Sequence, residues 1–221
     1  HGRLAEEVLS LESLRDRLDD VCVVNPCDEE YVLDYNPFDI DDVSDAGRLA
    51  SDYVNSTKTL FSASSGYRLN HILGMSYNGL LVTGRNLNSM PLLWSLTSEG
   101  DRLRREVISQ STNSEVKRFF EKEIMEYPKE AFSPIHNRIS TLLMDDRTQR
   151  IFSRTKSKVN LTKIMNEGKI LIVSLPVGLL GAEISSQLGS MMLAQLQKAA
   201  FHRQEGCKPF FIFADECYRF E

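Results

Sequence analysis

The spacing of apolar residues predicts helices over most of the chain and short strands at three places. Residues 4–18 carry apolar side chains every three or four positions among acids and arginines, which predicts an amphipathic helix. The recurring positions are Leu4, Val8, Leu11, Leu14 and Leu18. The apolar run 21–24 follows and ends at Asn25-Pro26, so it predicts a short buried strand.

A long central block, residues 45–154, has helical periodicity and no strand pattern. Its clearest apolar stripe comprises Leu69, Ile72, Leu73, Leu80 and Leu81. Pro91 fits the first turn of a further helix, where a backbone N–H would have no partner in any case. We therefore predict an all-helical subdomain in this block.

The pattern changes again after residue 160. Residues 161–167 predict a short helix that ends at Gly168, and residues 169–175 form an apolar run typical of a strand buried on both faces. A helix of about 20 residues follows, and residues 210–214 predict a second buried strand. A strand, a helix and a strand joined by short loops are typical of a crossover unit in a parallel sheet.

Composition narrows the class of protein. The 221 residues are 42% hydrophobic, which is enough for a packed core, and the net charge of −5 excludes a protein that is basic throughout. Cys22, Cys27, Cys207 and Cys217 form no C-x-x-C pair and do not cluster with histidines, so we expect neither a zinc site nor a disulfide framework. Reduced thiols are typical of a cytoplasmic protein. No apolar stretch approaches the roughly 20 residues of a transmembrane helix.

The predicted last strand leads into two adjacent acids, Asp215 and Glu216. Apolar residues followed by Asp-Glu form the Walker B pattern of P-loop ATPases. In that pattern the first carboxylate holds the Mg²⁺ of MgATP, and the second orients and deprotonates the attacking water. The pattern is short, and a strand that leaves the core through two acids explains it equally well.

The partner motif, G-x-x-x-x-G-K-[ST], is absent from the 221 residues. The only Gly-Lys pair, Gly168-Lys169, is followed by Ile170 and leads into a predicted strand rather than a helix. The chain therefore lacks the loop whose backbone N–H groups and lysine hold phosphate. Either the ATPase interpretation is wrong, or that loop belongs to residues that precede His1.

Five stretches carry a further signal through their order along the chain. They are HGRLAEEVLSL…RLDDVCVVNPCDEEYVLDYNPF, GYRLNHIL, SPIHNRISTLLMDDRTQRIF, KILIVSLPVGLLGAEISSQLGSMMLAQLQKAAFHR and FFIFADECYRF. Together they resemble successive blocks of the HerA/FtsK superfamily of P-loop ATPases, and more narrowly the HerA-like ATPases and the coupling proteins of type IV secretion. His1-Gly2 match the end of the family's Asp-Pro-His-Gly-Asp motif, with Arg3 in place of the acid. Asn25-Pro26 replace an Asp-Pro pair, and Asn36-Pro37-Phe38 replace Asn-Pro-Leu.

The resemblance implies an α/β fold: a partial RecA-like P-loop ATPase core, with a parallel sheet and flanking helices, that carries an all-α insertion subdomain. Residues 1–44 and 158–221 are then the two parts of the core, and residues 45–157 are the insertion. Walker A would lie upstream of His1, so the 221 residues alone would not hydrolyse ATP.

The resemblance also implies a function. It implies ATP and Mg²⁺ as cofactors, with Asp215 on the metal and Glu216 on the attacking water. Such ATPases form rings, commonly hexamers, that move DNA. The implied partners are therefore DNA, further copies of the chain, and proteins of a secretion or conjugation machinery. The implied location is the cytoplasm, at the inner membrane if the full-length protein is anchored there.

Two other hypotheses remain open on the sequence. A catalytically inactive adaptor or scaffold related to such ATPases would use the helical block for protein contacts. An unrelated α/β protein would have a strand that ends in two acids by coincidence, and its runs 169–175 and 210–214 need not be neighbouring parallel strands.

The helical block is rich in bases that offer a second candidate site. They are Arg102, Arg104, Arg105, Lys117, Arg118, Lys122, Arg138, Arg147, Arg150 and Arg154. In a DNA pump such residues would contact phosphates. The interleaved acids instead favour a solvated helix surface with ion pairs one turn apart. Arg68, Arg147 and Arg150 are also candidates for an arginine finger, although a structural ion pair is the simpler interpretation of each.

Overall fold

Two short strands, distant in sequence, form a parallel sheet in this computed structural model, which describes residues 3–28, 35–57 and 66–215. Strand β1 (Val21–Val24) pairs with β2 (Ile170–Val173), and Cys22 lies opposite Leu171. The backbone N–H of Ser174 extends the ladder by donating to the Val24 carbonyl at 2.8 Å. The sequence predicted both strands, but only Val24 and Ile172 are buried, because the sheet has two strands and covers little of their surface.

The first compact unit contains this sheet together with several helices. This unit, which we call the sheet unit, comprises His1–Tyr35 and Ser157–Glu221. Its described helices are α1 (Arg3–Leu9), a 3-10 segment (Glu12–Asp20), α10 (Leu161–Glu167), α11 (Val177–Leu180) and α12 (Ala182–Phe201). Its core is a cluster of Val24, Tyr35, Leu161, Met165, Met192, Leu196 and Ala199.

Local capping explains where α10 begins and ends. The Asn160 side chain accepts a hydrogen bond from the Lys163 backbone N–H at 2.8 Å, as an N-cap residue does. Gly168 ends the helix in the left-handed conformation, at φ 67°, which a residue with a side chain rarely adopts. The sequence predicted this short helix and its end, and both predictions are confirmed.

The predicted helix over residues 4–18 is wrong as a single helix. The α-helix α1 ends at Leu9, and the chain resumes as a 3-10 segment at Glu12. Of the described apolar positions in this stretch only Leu14 is buried, whereas Leu11 and Leu18 are exposed. A helix in a protein is held mainly by burial of its apolar face, and here most of that face is not buried.

The predicted strand over residues 210–214 is also wrong. These residues follow α12 without helix or strand structure, and no described strand pairs with them. Phe210 packs against the core cluster, but Phe211 is 74% exposed and Phe213 is 93% exposed. A strand exists only when its backbone groups are hydrogen-bonded to a partner strand, which the local sequence cannot supply.

The second compact unit, Asn36–Lys156, is helical, and we call it the helical unit. Its α-helices are α2 (Ala46–Thr57), α3 (Tyr67–Thr83), α4 (Met90–Trp94), α5 (Ser98–Gln110), α6 (Ser114–Arg118), α7 (Ile124–Glu126), α8 (Ser133–Leu143) and α9 (Asp146–Phe152). A π-helical turn, Phe119–Glu123, joins α6 to α7, and short 3-10 turns lie at Val43–Asp45, Leu87–Ser89 and Lys129–Ala131.

The apolar stripe predicted on α3 forms the centre of this unit. Its five positions are all buried: Leu69, Ile72, Leu73, Leu80 and Leu81. Pro91 lies in the first turn of α4, as predicted. Among the described residues, no helix combines the length and the apolar composition that crossing a bilayer requires.

The division between the units lies earlier in the chain than the boundary drawn from the sequence. Residues 36–44 belong to the helical unit, whereas the sequence assigned them to the preceding segment, 1–44. The reason is that Asn36 and Phe38 are buried inside the helical unit. At the other end the helical unit stops at Lys156, one residue before the predicted limit of 157.

Candidate functional site

The carboxyl ends of β1 and β2 lie at one edge of the sheet, which is where parallel α/β sheets bind their ligands. Asn25 follows β1, and its Oδ1 accepts a hydrogen bond from the Cys27 backbone N–H at 3.1 Å. Ser174 follows β2 and is hydrogen-bonded to Val24. These contacts hold the two turns at the edge of the sheet, where a ligand of a parallel sheet would bind.

The start of α12 lies just beyond β2 but does not resemble a phosphate cradle. Ser185 donates its hydroxyl to the Leu175 carbonyl at 2.8 Å and so fastens the helix to the end of β2. Glu183 lies in the first turn of α12, where its negative charge stabilises the helix dipole. The same charge disfavours a second anion at this helix end.

Asp215, the predicted metal ligand, lies at the end of the exposed segment that follows Phe210. Its side chain is exposed, and Phe211 and Phe213 before it are exposed too. The predicted catalytic residue, Glu216, lies outside the described residues. The Walker B interpretation of the two carboxylates therefore stays a prediction.

The described residues do not form a complete site for Mg²⁺ and ATP. In the described part of the chain, no three His, Cys, Asp or Glu side chains come together as a metal site would require. The Gly168-Lys169 pair caps α10 and enters β2, and Lys169 Nζ lies 3.2 Å from Glu167 Oε2. This lysine therefore forms a local ion pair rather than part of a phosphate-binding loop.

Arg104 shows that one base of the helical block is structural. It is only 3% exposed, and its Nη1 donates to the carbonyl oxygens of Leu93 at 3.0 Å and Ser95 at 2.5 Å. Its Nη2 pairs with Asp101. Arg104 thus satisfies the carbonyls at the end of α4 and cannot reach a DNA phosphate.

A second polar cluster lies at the π-helical turn, and in it the basic residue Arg118 forms ion pairs within the helical unit. Glu123 Oε1 lies 2.9 Å from His71 Nε2 and accepts a hydrogen bond from the Tyr127 hydroxyl at 2.9 Å. Arg118 lies 3.4 Å from Glu123 and pairs with Glu115 at 2.8 Å. Burial acts to raise the pKa of Glu123, but these hydrogen bonds and the nearby positive charges outweigh it and lower the pKa.

The three arginine-finger candidates all belong to the helical unit, whereas Asp215 belongs to the sheet unit. Arg147 and Arg150 lie on α9, whose N-cap Asp145 accepts from the Thr148 backbone N–H at 3.1 Å. Arg68 lies in the first turn of α3. No described contact selects one of them for a nucleotide.

Asn36-Pro37-Phe38 is the motif whose structural role the sequence did not reveal. Asn36 is 1% exposed, and the Pro37 carbonyl accepts a hydrogen bond from the Tyr53 hydroxyl at 2.6 Å. Phe38 packs in an aromatic cluster with Tyr53 and Tyr77. The signal available in the sequence was the Asn-Pro pair itself, which marks a turn but not its partners.

In the described part of the chain, these features define a mostly helical protein with a two-stranded parallel sheet, which is compatible with the α/β class. No family model, no curated protein and no solved structure matches the chain. The resemblance to the HerA/FtsK superfamily therefore remains a hypothesis drawn from the sequence.

Proposed function

We propose that this chain is a segment of a P-loop ATPase that moves DNA, related to the HerA-like and type IV coupling ATPases. In this proposal the sheet unit is part of a RecA-like ATP-binding core, and the helical unit is an insertion into that core. The observation that supports it best is the parallel pairing of β1 with β2, although the whole helical unit lies between them in the sequence. Such pairing needs a crossover connection, and the interrupted core that the resemblance implies supplies one.

The proposal assigns Asp215 to Mg²⁺ and Glu216 to the attacking water in the complete protein. These two carboxylates do not make a site by themselves, and the 221 residues contain no phosphate-binding loop. The remaining groups must therefore come from polypeptide outside these residues. In a ring-shaped oligomer, which the resemblance implies, a neighbouring copy would contribute to the same site.

A second candidate function is that of an inactive adaptor related to such ATPases, acting in a DNA-transfer or secretion complex. The observation that favours it is the exposed side chain of Asp215, which belongs to no cluster of three possible metal ligands among the described residues. An adaptor would retain the two-unit fold and bind partner proteins without turning over nucleotide.

ATP hydrolysis in the presence and absence of DNA tests the proposal. We expect DNA-stimulated hydrolysis by the natural polypeptide that contains these residues, and none by the 221-residue chain alone. Asp215→Asn and Glu216→Gln should each lower kcat by about 10²-fold or more, as loss of a metal ligand or general base does. Glu205→Gln, which changes an exposed acid of the same unit, should leave kcat unchanged.

The outcomes separate the two candidates. Hydrolysis that survives both substitutions would contradict the assignment of Asp215 and Glu216. An absence of hydrolysis by the natural polypeptide with every DNA tested would exclude the motor and favour the adaptor. Robust hydrolysis by the 221 residues alone would overturn the view that the site is incomplete.

A further inference from the structure

The chain passes between the two units twice, after Tyr35 and after Lys156. Within the helical unit, the residues that follow the first crossing lie against those that precede the second. Asn36 Nδ2 donates to the Thr155 carbonyl at 3.2 Å, and Lys156 Nζ lies 2.9 Å from Asp39 Oδ1. The first and last segments of the helical unit are thus fastened to each other.

The turn that ends α3 lies beside this junction and binds both segments. Gly84 ends the helix in the left-handed conformation, at φ 60°, and its carbonyl accepts a hydrogen bond from Asn36 Nδ2 at 3.4 Å. Asn86, two residues later, donates its Nδ2 to the Ser153 carbonyl at 2.6 Å. A side chain at Gly84 would lie within 4.0 Å of the Lys156 Nζ. The turn therefore belongs to the same junction between the first and last segments of the helical unit.

Asn36 is the central residue of this junction. Its Nδ2 reaches two carbonyls, and its Oδ1 accepts the Phe38 backbone N–H at 3.0 Å. Since Asn36 is buried, water cannot replace these bonds if the side chain is removed. Phe38, two residues after Asn36, is fully buried in the aromatic cluster, so the junction between the first and last segments is anchored in the core of the helical unit.

We propose that Asn36 closes the helical unit into a module that folds independently of the sheet unit and brings the two halves of the sheet unit together. A folded unit with joined ends delivers Tyr35 and Ser157 to the same place. It thereby shortens the loop that β1 and β2 must close on pairing to the two linkers that flank the helical unit, which removes part of the loop-closure entropy. The dependence runs one way: the sheet unit requires the folded helical unit, but the helical unit does not require the sheet. This inference does not depend on the proposed ATPase function.

The chain contains a separate natural probe for each unit. Its single tryptophan, Trp94, lies in the helical unit, and its four cysteines belong to the segments 1–35 and 157–221. Urea unfolding of the full chain is followed by Trp94 fluorescence and, in parallel samples, by the reactivity of the half-buried thiols of Cys22, Cys27 and Cys207, each identified by peptide mapping. Ile172→Asp places a charge in the buried part of β2 and tests the dependence from the sheet side.

We expect Ile172→Asp to expose the thiols at lower urea while the Trp94 midpoint stays at its wild-type value. Asn36→Ala should lower the Trp94 midpoint by about 1 M and should also lower the thiol midpoint. Asn137→Ala, at an exposed asparagine of the same unit, is the matched control and should move neither. If Asn36→Ala does not fold, Lys156→Gln removes the exposed ion pair more gently and should shift both midpoints in the same direction.

Two results would overturn the inference. One is a Trp94 midpoint that falls with Ile172→Asp as far as the thiol midpoint does, because the units would then unfold as one. The other is an Asn36→Ala variant whose thiol midpoint stays fixed while its Trp94 midpoint falls, because the sheet unit would then not need the closed module.

Discussion

Gly100→Ala is expected to destabilise the helical unit although alanine favours helices. Gly100 is the third residue of α5, and its backbone N–H donates to the N-cap side chain of Thr97 at 3.2 Å. A Cβ at this position would lie 2.4 Å from the Ser95 carbonyl oxygen and 2.6 Å from that of Leu92. Both oxygens belong to the backbone at the end of α4, so neither can rotate away.

The magnitude follows from opposing effects. Alanine in place of glycine gains up to about 1 kcal/mol of helix propensity. Forcing extra atoms into a packed site costs about 1–3 kcal/mol, and rigid backbone contacts favour the upper end. Moving Ser95 also disturbs its hydrogen bond with Arg104, which costs about 1 kcal/mol more. We therefore expect a net loss of about 2–3 kcal/mol in the free energy of unfolding.

Urea unfolding followed by Trp94 fluorescence measures this loss. The Trp94 ring stacks on Phe132, and its Nε1 donates to Ser76 Oγ at 3.0 Å, so it reports on the packing next to Gly100. Gly47→Ala is the matched control, since Gly47 lies in the first turn of α2 with nothing within 4 Å of an added Cβ. We expect this control to be neutral or stabilising. A Gly100→Ala variant as stable as the wild type would refute the reasoning.

Five further substitutions, in three tests, examine other parts of the description by urea unfolding. Glu123→Gln should destabilise the chain at neutral pH; because the folded-state pKa of Glu123 is lowered, its contribution exists above the unfolded-state pKa and is lost as the pH falls. The difference from wild type should therefore shrink in acid, and a difference independent of pH would contradict the assignment. Arg104→Ala should cost about 3 kcal/mol, whereas Arg102→Ala, on the exposed side of α5, should cost less than about 0.5 kcal/mol. Phe213→Ser should likewise change the free energy of unfolding by less than about 0.5 kcal/mol, whereas Phe210→Ser should lower it by about 1–2 kcal/mol. A large loss of stability with Phe213→Ser would mean that the segment is buried.

Local sequence patterns were sufficient to predict the elements that are determined by residues close in the sequence. The run 21–24 is β1 with the same limits, and the predicted helix of about 20 residues is α12. The stripe on α3 is buried throughout. In each case, residues close in sequence determine the element: a periodic apolar face, a capping residue, or a proline or glycine at the end.

The wrong elements are those whose formation depends on distant partners. Residues 210–214 have the composition of a buried strand, but a strand needs a neighbour, and no described strand pairs with them. Residues 4–18 have helical periodicity, yet the stretch divides near Leu11, and the described residues leave most of its apolar face exposed. Periodicity identifies an apolar face but not what buries it.

The candidate site shows the same limit. Asp215 and Glu216 were found from a short pattern, and that pattern contains no information on which other groups approach them. Arg104 looked like a possible DNA contact in sequence, but its neighbours in space make it a structural residue. Asn36 could be identified only as part of a turn, because Thr155 and Gly84, the residues that give it a role, are distant in the chain.

The central claim is that β1 and β2, which the helical unit separates in the sequence, pair in parallel. An engineered disulfide bond tests this claim most directly. Leu171→Cys places a thiol opposite the native Cys22, at the short separation of neighbouring strands that a disulfide can span. Ile172→Cys, one residue along β2, points to the opposite face and serves as the control. After mild oxidation of the folded chain, peptide mapping should find a bond from Cys22 to the thiol introduced at position 171 in high yield, and no bond from Cys22 to the thiol introduced at position 172. Equal yields in both variants, or no bond in either, would contradict the pairing and remove the main support for the proposed function.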